Sequence, residues 1–172
     1  GYSMLVPFTH SERLPDTLVA CLPKGLPLER IDSKDIRDLI PGIGYSREDR
    51  NRHMHRVGHL IKTLQNNSIS TVASFVSPYR ESRKAIREMV KNNVVVYVKA
   101  DIETCKARDY KGVYAKALSG ELQNFSGIND VYEEPQHAEI VIEGEVLPGV
   151  REEEGPFGEF TDSFVPVMKN HV

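Results

Sequence analysis

Apolar residues fall along this chain in two alternating patterns, short continuous runs and helical spacings. The short runs predict strands, because a strand buried on both faces of a parallel sheet reads as an unbroken apolar or β-branched stretch. The predicted strands cover residues 3–8, 28–31, 69–76, 93–98 and 138–142.

The most regular helical pattern begins at Ser46, a residue type that favours the start of a helix. Its apolar positions recur three or four residues apart: Met54, Val57, Leu60, Ile61 and Leu64. Shorter helical patterns cover residues 16–22, 33–39, 79–91, 102–108 and 113–118. Alternating strands and helices predict a three-layer α/β domain with a mainly parallel sheet. We place it at residues 1–142, followed by an acidic, irregular tail at 143–172.

Length and charge narrow the class of protein. A chain of 172 residues suits one ordinary domain. The 22 basic and 25 acidic residues give a net charge of −3, which argues against a general nucleic-acid binder. No apolar run is long enough to span a membrane, and the first residues lack the layout of a signal peptide. We therefore expect a cytoplasmic protein with no membrane or nucleic-acid partner.

Metal binding is not expected from the cysteines and histidines. Cys21 and Cys105 lack ligand spacing and are expected to be reduced thiols. His55 and His59 lie one helical turn apart, but no third ligand accompanies them. We expect these two imidazoles to face solvent or substrate.

Polar residues cluster just after the predicted strands, where open α/β sheets bind ligands. Arginines are frequent among them: Arg37, Arg47, Arg50, Arg52, Arg56, Arg80 and Arg83. Because the guanidinium group is planar and matches oxyanions, this pattern favours a phosphate or sulfate ester as ligand. The alternative for Arg47 to Arg56 is a solvated helix face.

Three motifs then point to a family. They are GYSREDR at 44–50, FVSPYRESR at 75–83, and YKGVYAKALSGELQNFSGINDVYEEP at 110–135. In this order and spacing they resemble the adenylylsulfate kinases, which use ATP to phosphorylate the 3′-hydroxyl of adenosine 5′-phosphosulfate (APS). The resemblance covers about residues 8–142. It implies a P-loop-kinase-like fold, APS as partner, ATP and Mg²⁺ as cofactors, and a homodimer.

The same resemblance assigns site residues. It implies that Arg37 and Arg50 contact the phosphosulfate and that Tyr45 lies near the adenine. Asp32 and Ser77 are the implied catalytic residues, Ser77 at the position of the family's phosphorylated serine. From the residues alone, Ser77-Pro78 is also an ordinary turn that ends a strand. The resemblance also implies that the substrate pocket is lined by Lys111, Gly112, Val113 and Phe125. It implies that Thr17 contacts ATP.

The chain departs from this family at the ATP site. The stretch Phe8–Thr17 lacks both glycines of G-x-x-x-x-G-K-[ST], and Asp16 stands near the lysine position. The family's D-G-D-N-x-R reads here as 32–37, with Lys34 at the second aspartate. The later N-I-R-R reads as 53–56 and begins with His53. These departures predict a degenerate P-loop, and with it an alternative function: a catalytically inactive module that binds APS.

The tail has a resemblance of its own. Residues 138–161 are similar to a stretch of the UbiD-like decarboxylases, which use prenylated flavin. The resemblance implies that Glu154 and Glu159 would be the catalytic carboxylates. A decarboxylase fragment is therefore a further alternative.

Overall fold

The computed structural model describes residues 3–7, 19, 22, 24–107, 109 and 112–143. Its strands are β1 (Ser3–Pro7), β2 (Leu28–Asp32), β3 (Ser70–Phe75), β4 (Asn93–Lys99) and β5 (Ile140–Glu143). Its helices are α1 (Ser33–Leu39), α2 (Arg47–Asn66), α3 (Arg80–Met89), α4 (Ile102–Ala107) and α5 (Val113–Leu118). Each element agrees with a predicted one to within a few residues.

The five strands form one parallel sheet in the order β2-β3-β1-β4-β5. Strand β1 lies at the centre, and Leu5 is in register with Ala73 of β3 and Val95 of β4. The predicted parallel α/β class is confirmed. Because all strands run the same way, their carboxyl ends meet at one edge, which we call the carboxyl edge.

Both faces of the sheet are buried, as the unbroken apolar runs predict. Successive residues of β1 and β3 serve opposite faces: Met4 and Val72 belong to one apolar cluster, Leu5 and Ala73 to the other. All six residues of β3 are buried. The alternation of side chains along a strand therefore supplies two cores from one sequence run.

Helix α2 packs its apolar residues in the cluster that contains Leu5 and Ala73, and it begins at the carboxyl edge. Ser46 caps it, accepting a hydrogen bond from the Asp49 amide. Val57 and Ile61 are fully buried beneath it, whereas Leu60 is exposed. Gly58 lets α2 approach α3 closely, because a Cβ there would lie 2.8 Å from Met89 Cε. This contact joins the middle of α2 to the last turn of α3.

Some predicted features lie outside the described residues. Only Val19 and Leu22 of the predicted helix at 16–22 are described, and both pack in the first apolar cluster. Residues 144–172 of the predicted tail are not described. Among the described helices, none combines the length and apolar character that a membrane crossing requires.

Candidate functional site

Asp32 stands at the carboxyl end of β2, where a ligand-binding residue is expected. Its side chain caps α1, with Oδ1 accepting a hydrogen bond of 2.8 Å from the Lys34 amide. The Lys34 ammonium instead pairs with Asp38 at 2.8 Å, on the exposed side of α1. One carboxylate oxygen of Asp32 is therefore committed to helix capping.

Arg37 and Arg50 meet at the ring of Tyr45. The Arg37 Cζ lies 4.3 Å from the ring centroid, and the Arg50 Cζ lies 5.4 Å from it. Arg37 also donates from Nη1 to the carbonyls of Ile43 and Gly44, each at 3.2 Å. The structure thus brings together three residues to which the sequence assigned APS binding, and Tyr45 remains 55% exposed.

Both guanidinium groups keep unused donors. Arg50 donates from Nε to the Tyr45 carbonyl and from Nη2 to the Asn124 carbonyl, and its Nη1 group has no partner among the described residues. Neither Arg37 nor Arg50 forms an ion pair with a carboxylate of the described chain. Burial lowers the pKa of the Arg50 guanidinium. Two adjacent guanidinium groups without a carboxylate form a place where an oxyanion would bind.

Phe125 belongs to a segment, 124–133, that contacts the starts of α2 and α3. The Asn124 carbonyl is 2.7 Å from Arg50 Nη2, and the Tyr79 hydroxyl donates to Asp130 at 2.5 Å. The Phe125 ring packs edge to face on Tyr114 of α5, with 4.9 Å between centroids. The segment therefore brings Asn124, the neighbour of Phe125, into contact with Arg50, although the two are far apart in sequence.

The remaining predicted wall residues lie at the start of α5. Gly112 precedes this helix with φ +65°, a conformation that favours glycine, and Val113 is half-buried. Tyr114 links this helix start to Phe125. Lys111 and Thr17 lie outside the described residues, so their roles stay predictions.

Ser77 is buried at the carboxyl edge, two residues beyond β3. It is 2% exposed and has a φ of +35°, which is uncommon for a residue with a side chain. Its Oγ has no hydrogen-bond partner among the described residues. The turn after β3 therefore presents a buried hydroxyl that has no hydrogen-bond partner among the described residues.

His53 is a site residue that the sequence analysis mentioned only as a departure from a motif. It is 2% exposed on the inner face of α2, and its ring lies 5.7 Å from the Phe75 ring at the end of β3. Neither ring nitrogen has a partner within the described part of the chain. Burial, followed by the charges of Arg37 and Arg56, lowers the pKa of His53 to about 4. Its position one turn after Arg50 could have indicated that it faces the same edge.

The arginines of α3 have other partners. Arg80 donates from Nε to the Glu134 carbonyl, and Arg83 is buried with its guanidinium on two main-chain carbonyls. Arg47 pairs with Glu81 and Glu133. The sequence-based grouping of all these arginines as oxyanion ligands is therefore wrong for Arg83 and Arg47, whose donors are directed at the protein itself.

The described residues do not form a magnesium site. Mg²⁺ is bound by carboxylates and phosphate oxygens, but here Lys34 stands at the second aspartate position and Asp32 caps a helix. Within the described ranges, no three His, Cys, Asp or Glu side chains converge as metal ligands. The stretch Phe8–Thr17, at the position of the family's P-loop, lies outside these ranges.

The sheet and its helices define a parallel α/β domain of the P-loop kinase type. The family model described as Adenylylsulphate kinase matches residues 12–143, well over half of the chain. The protein therefore belongs to the adenylylsulphate kinase family.

Relatives agree with this placement. The adenylyl-sulfate kinase of Halothermothrix orenii is 42% identical over 120 residues, covering 69% of this chain and 65% of that protein. The probable adenylyl-sulfate kinase of Aeropyrum pernix is 38% identical over 142 residues, covering 80% and 76%. This chain spans 56–65% of the length of the first three relatives it matches.

A solved structure shares the fold. It is the APS kinase CysC of Mycobacterium tuberculosis, determined in complex with AMPPNP and APS. The TM-score is 0.81 at 21% identity, with 98% of each chain covered. At this identity the similarity establishes the fold alone.

Proposed function

We propose that this protein binds APS at the carboxyl edge of its sheet and acts as an adenylyl-sulfate kinase, transferring phosphate from ATP to the 3′-hydroxyl. The observation that carries the proposal is the meeting of Arg37 and Arg50 at Tyr45, with donors unused and no carboxylate in the described part to neutralise them. The reaction belongs to sulfate assimilation. Membership of the adenylylsulphate kinase family supports it.

The chemistry of APS suits these side chains. Its phosphosulfate group is an extended oxyanion, and guanidinium groups donate two parallel hydrogen bonds to such groups. The exposed ring of Tyr45 offers an apolar surface for the adenine, and Phe125 supplies a second ring nearby. One cluster thereby has partners for both the anionic and the aromatic parts of the ligand.

Two buried polar side chains support a ligand at this edge. His53 and Ser77 are each 2% exposed, yet neither has a hydrogen-bond partner among the described residues. Buried polar groups are normally paired, because an unpaired one costs free energy. We assign their missing partners to the ribose and phosphosulfate oxygens of bound APS.

A second function is favoured by the sequence around the ATP site. The stretch Phe8–Thr17 lacks the glycines and lysine of a P-loop, and Lys34 replaces an aspartate. A carboxylate at Asp16 would repel the phosphates that the lysine attracts. On this proposal the P-loop is degenerate, and the protein binds APS as a regulatory module without transferring phosphate.

Calorimetric titration of APS into the full chain tests the shared part of both proposals. We expect saturable binding that Arg50→Ala weakens at least tenfold, because the mutation removes one of the two guanidinium groups. Arg52→Ala is the matched control, since Arg52 lies on the same helix but is exposed and pairs with Glu48 and Asp49. Absence of binding at millimolar APS, or equal binding by both variants, would refute the APS site.

Adding Mg·ATP separates the two functions. Formation of 3′-phosphorylated APS and ADP, detected by chromatography, would establish the kinase activity and refute the inactive module. Arg50-dependent binding without product would establish the module instead.

Sedimentation velocity of the same samples tests the homodimer. Glu154 and Glu159 lie outside the described residues, and flavin absorbance of the purified protein tests the decarboxylase alternative.

A further inference from the structure

The backbone at Ser77 requires an explanation beyond the turn that it makes. Its φ of +35° lies in the left-handed region, where a side chain is strained. Such a conformation persists only where the surrounding structure determines it. Proline follows at position 78, so the next peptide has no N–H with which to hold the turn.

Arg83 supplies the hydrogen bond that holds this turn. Its Nη1 donates to the Ser77 carbonyl at 2.5 Å. Arg83 is only 6% exposed, and its Nη2 donates to the Glu133 carbonyl. Both arms of the fork therefore end on main-chain carbonyls, one on each of two segments that form the site.

The second segment is fixed just as firmly. The Glu133 amide donates to the Pro78 carbonyl at 2.8 Å, and its carboxylate accepts from the Arg80 amide at 2.8 Å. The same segment carries Asn124, whose carbonyl holds Arg50. Arg83 thus lies between the Ser77 turn and the segment that orients Arg50.

We propose that Arg83 is a positioning residue, which holds Ser77 in its left-handed conformation and sets its hydroxyl relative to the 124–133 segment. Arg83 itself does not bind the oxyanion. The part of this inference that concerns APS rests on the proposed function. The part that concerns the Ser77 backbone does not.

A double-mutant cycle tests the backbone part without any ligand. Arg83→Lys keeps the charge but cannot reach both carbonyls with a planar fork. Ser77→Gly removes the strain, because glycine adopts positive φ freely. We expect Arg83→Lys to lower the unfolding midpoint by more in the Ser77→Gly background than in the wild-type background, because in the wild type the loss of the hydrogen bonds is partly offset when the strained Ser77 backbone relaxes. An equal loss in both backgrounds would overturn the inference.

Arg83→Gln provides the same cycle if the lysine variant does not fold. Glutamine is neutral, so burying it without its full set of partners costs less than burying a charge. It can donate to one carbonyl only. A larger loss in the Ser77→Gly background again supports the inference, and an equal loss contradicts it.

APS titration tests the positioning part. Arg83→Lys is expected to weaken APS binding at least tenfold at a temperature where it stays folded. Arg87→Lys is the matched control, one turn further along α3, where Arg87 pairs with Glu139 away from the site; we expect a change of less than twofold. Wild-type binding with an unaffected Arg83→Lys variant would overturn the positioning role. Failure of the wild type to bind APS would refute the proposed function and leave the backbone cycle as the test.

Discussion

Two neighbouring groups of charged and polar side chains at the carboxyl edge use their hydrogen bonds in opposite ways. One, the Glu133 cluster, consists of Arg47, Tyr79, Arg80, Arg83 and Glu133, and its contacts are to the protein itself. The other, the carboxyl-edge cluster, consists of Arg37, Tyr45, Arg50, His53 and Ser77. It retains free guanidinium donors and two unpartnered buried groups in the part of the chain described.

The comparison teaches that arginine content alone does not locate a binding site. In the Glu133 cluster, carboxylates and carbonyls occupy the guanidinium donors, so these arginines hold α2, α3 and the 124–133 segment together. In the carboxyl-edge cluster no described carboxylate does so. We infer that the first cluster contributes stability and that the second gives up stability for ligand binding.

The largest expected effect is a loss of folding stability at acidic pH that depends on His53. Its pKa is lowered from 6.5 to about 4 by burial and nearby arginines, so the unfolded chain binds a proton in this range while the folded chain does not. Stability contributed by the neutral imidazole is complete above pH 6.5 and is lost as pH falls towards 4. We expect a loss of about 3 kcal/mol, measured by denaturant unfolding between pH 7.5 and pH 4.5.

His53→Asn is the control for this pH dependence. Asparagine stands at this position in the family motif N-I-R-R and does not titrate. The other histidines titrate in both proteins, so the difference between the two pH curves isolates His53. If both curves fall equally, the carboxyl-edge cluster is not the acid-sensitive region.

The next effect concerns the Glu133 cluster. Glu133→Ala removes the acceptor for the Arg80 amide at the start of α3 and the ion pair with Arg47. We expect a loss of about 2 kcal/mol in unfolding free energy. Glu81→Ala, on the exposed side of Arg47, should cost less. An equal loss would mean that the cluster stabilises only through surface charge.

Tyr79→Phe is expected to have a smaller effect. The change removes the hydroxyl that donates to Asp130 at 2.5 Å and leaves one oxygen of a half-buried carboxylate unpaired. A loss of about 1.5 kcal/mol is expected, because hydrogen bonds to charged groups are the stronger ones. Tyr45→Phe serves as control, since that exposed hydroxyl has no described partner. Similar unfolding midpoints for both variants would contradict the prediction.

Thr71→Val tests an unpartnered buried hydroxyl at the amino ends of the strands, opposite the carboxyl edge. Thr71 is 2% exposed, and its hydroxyl is unpartnered within the described residues. Valine has the same shape without the hydroxyl, so we expect a gain of up to about 1 kcal/mol and unchanged APS titration. A loss of stability, or weaker APS binding, would show that an unpartnered group does not separate structural from ligand-binding positions.

The sequence by itself determined the fold class and much of the site. Unbroken apolar runs at β3 and β4 indicate burial on both faces, and only a parallel sheet covered by helices provides that. By resemblance, the motifs at 32–37, 44–50 and 75–83 assigned APS binding to Arg37, Tyr45 and Arg50 and a catalytic role to Ser77, and the structure places Arg37, Tyr45 and Arg50 together. These features depend on local spacing, which a sequence displays directly.

The tertiary structure alone decided what each arginine and histidine faces. Arg50 and Arg83 look alike in sequence, but Arg50 lies beside Tyr45 with one nitrogen that no described residue contacts, and Arg83 lies between two main-chain carbonyls. His53 resembles a solvated residue on a charged helix until α2 packs on the sheet and buries it. Hydrogen-bond partners and burial depend on segments distant in the chain, here 44–50, 75–83 and 124–133. No local pattern encodes where these segments meet.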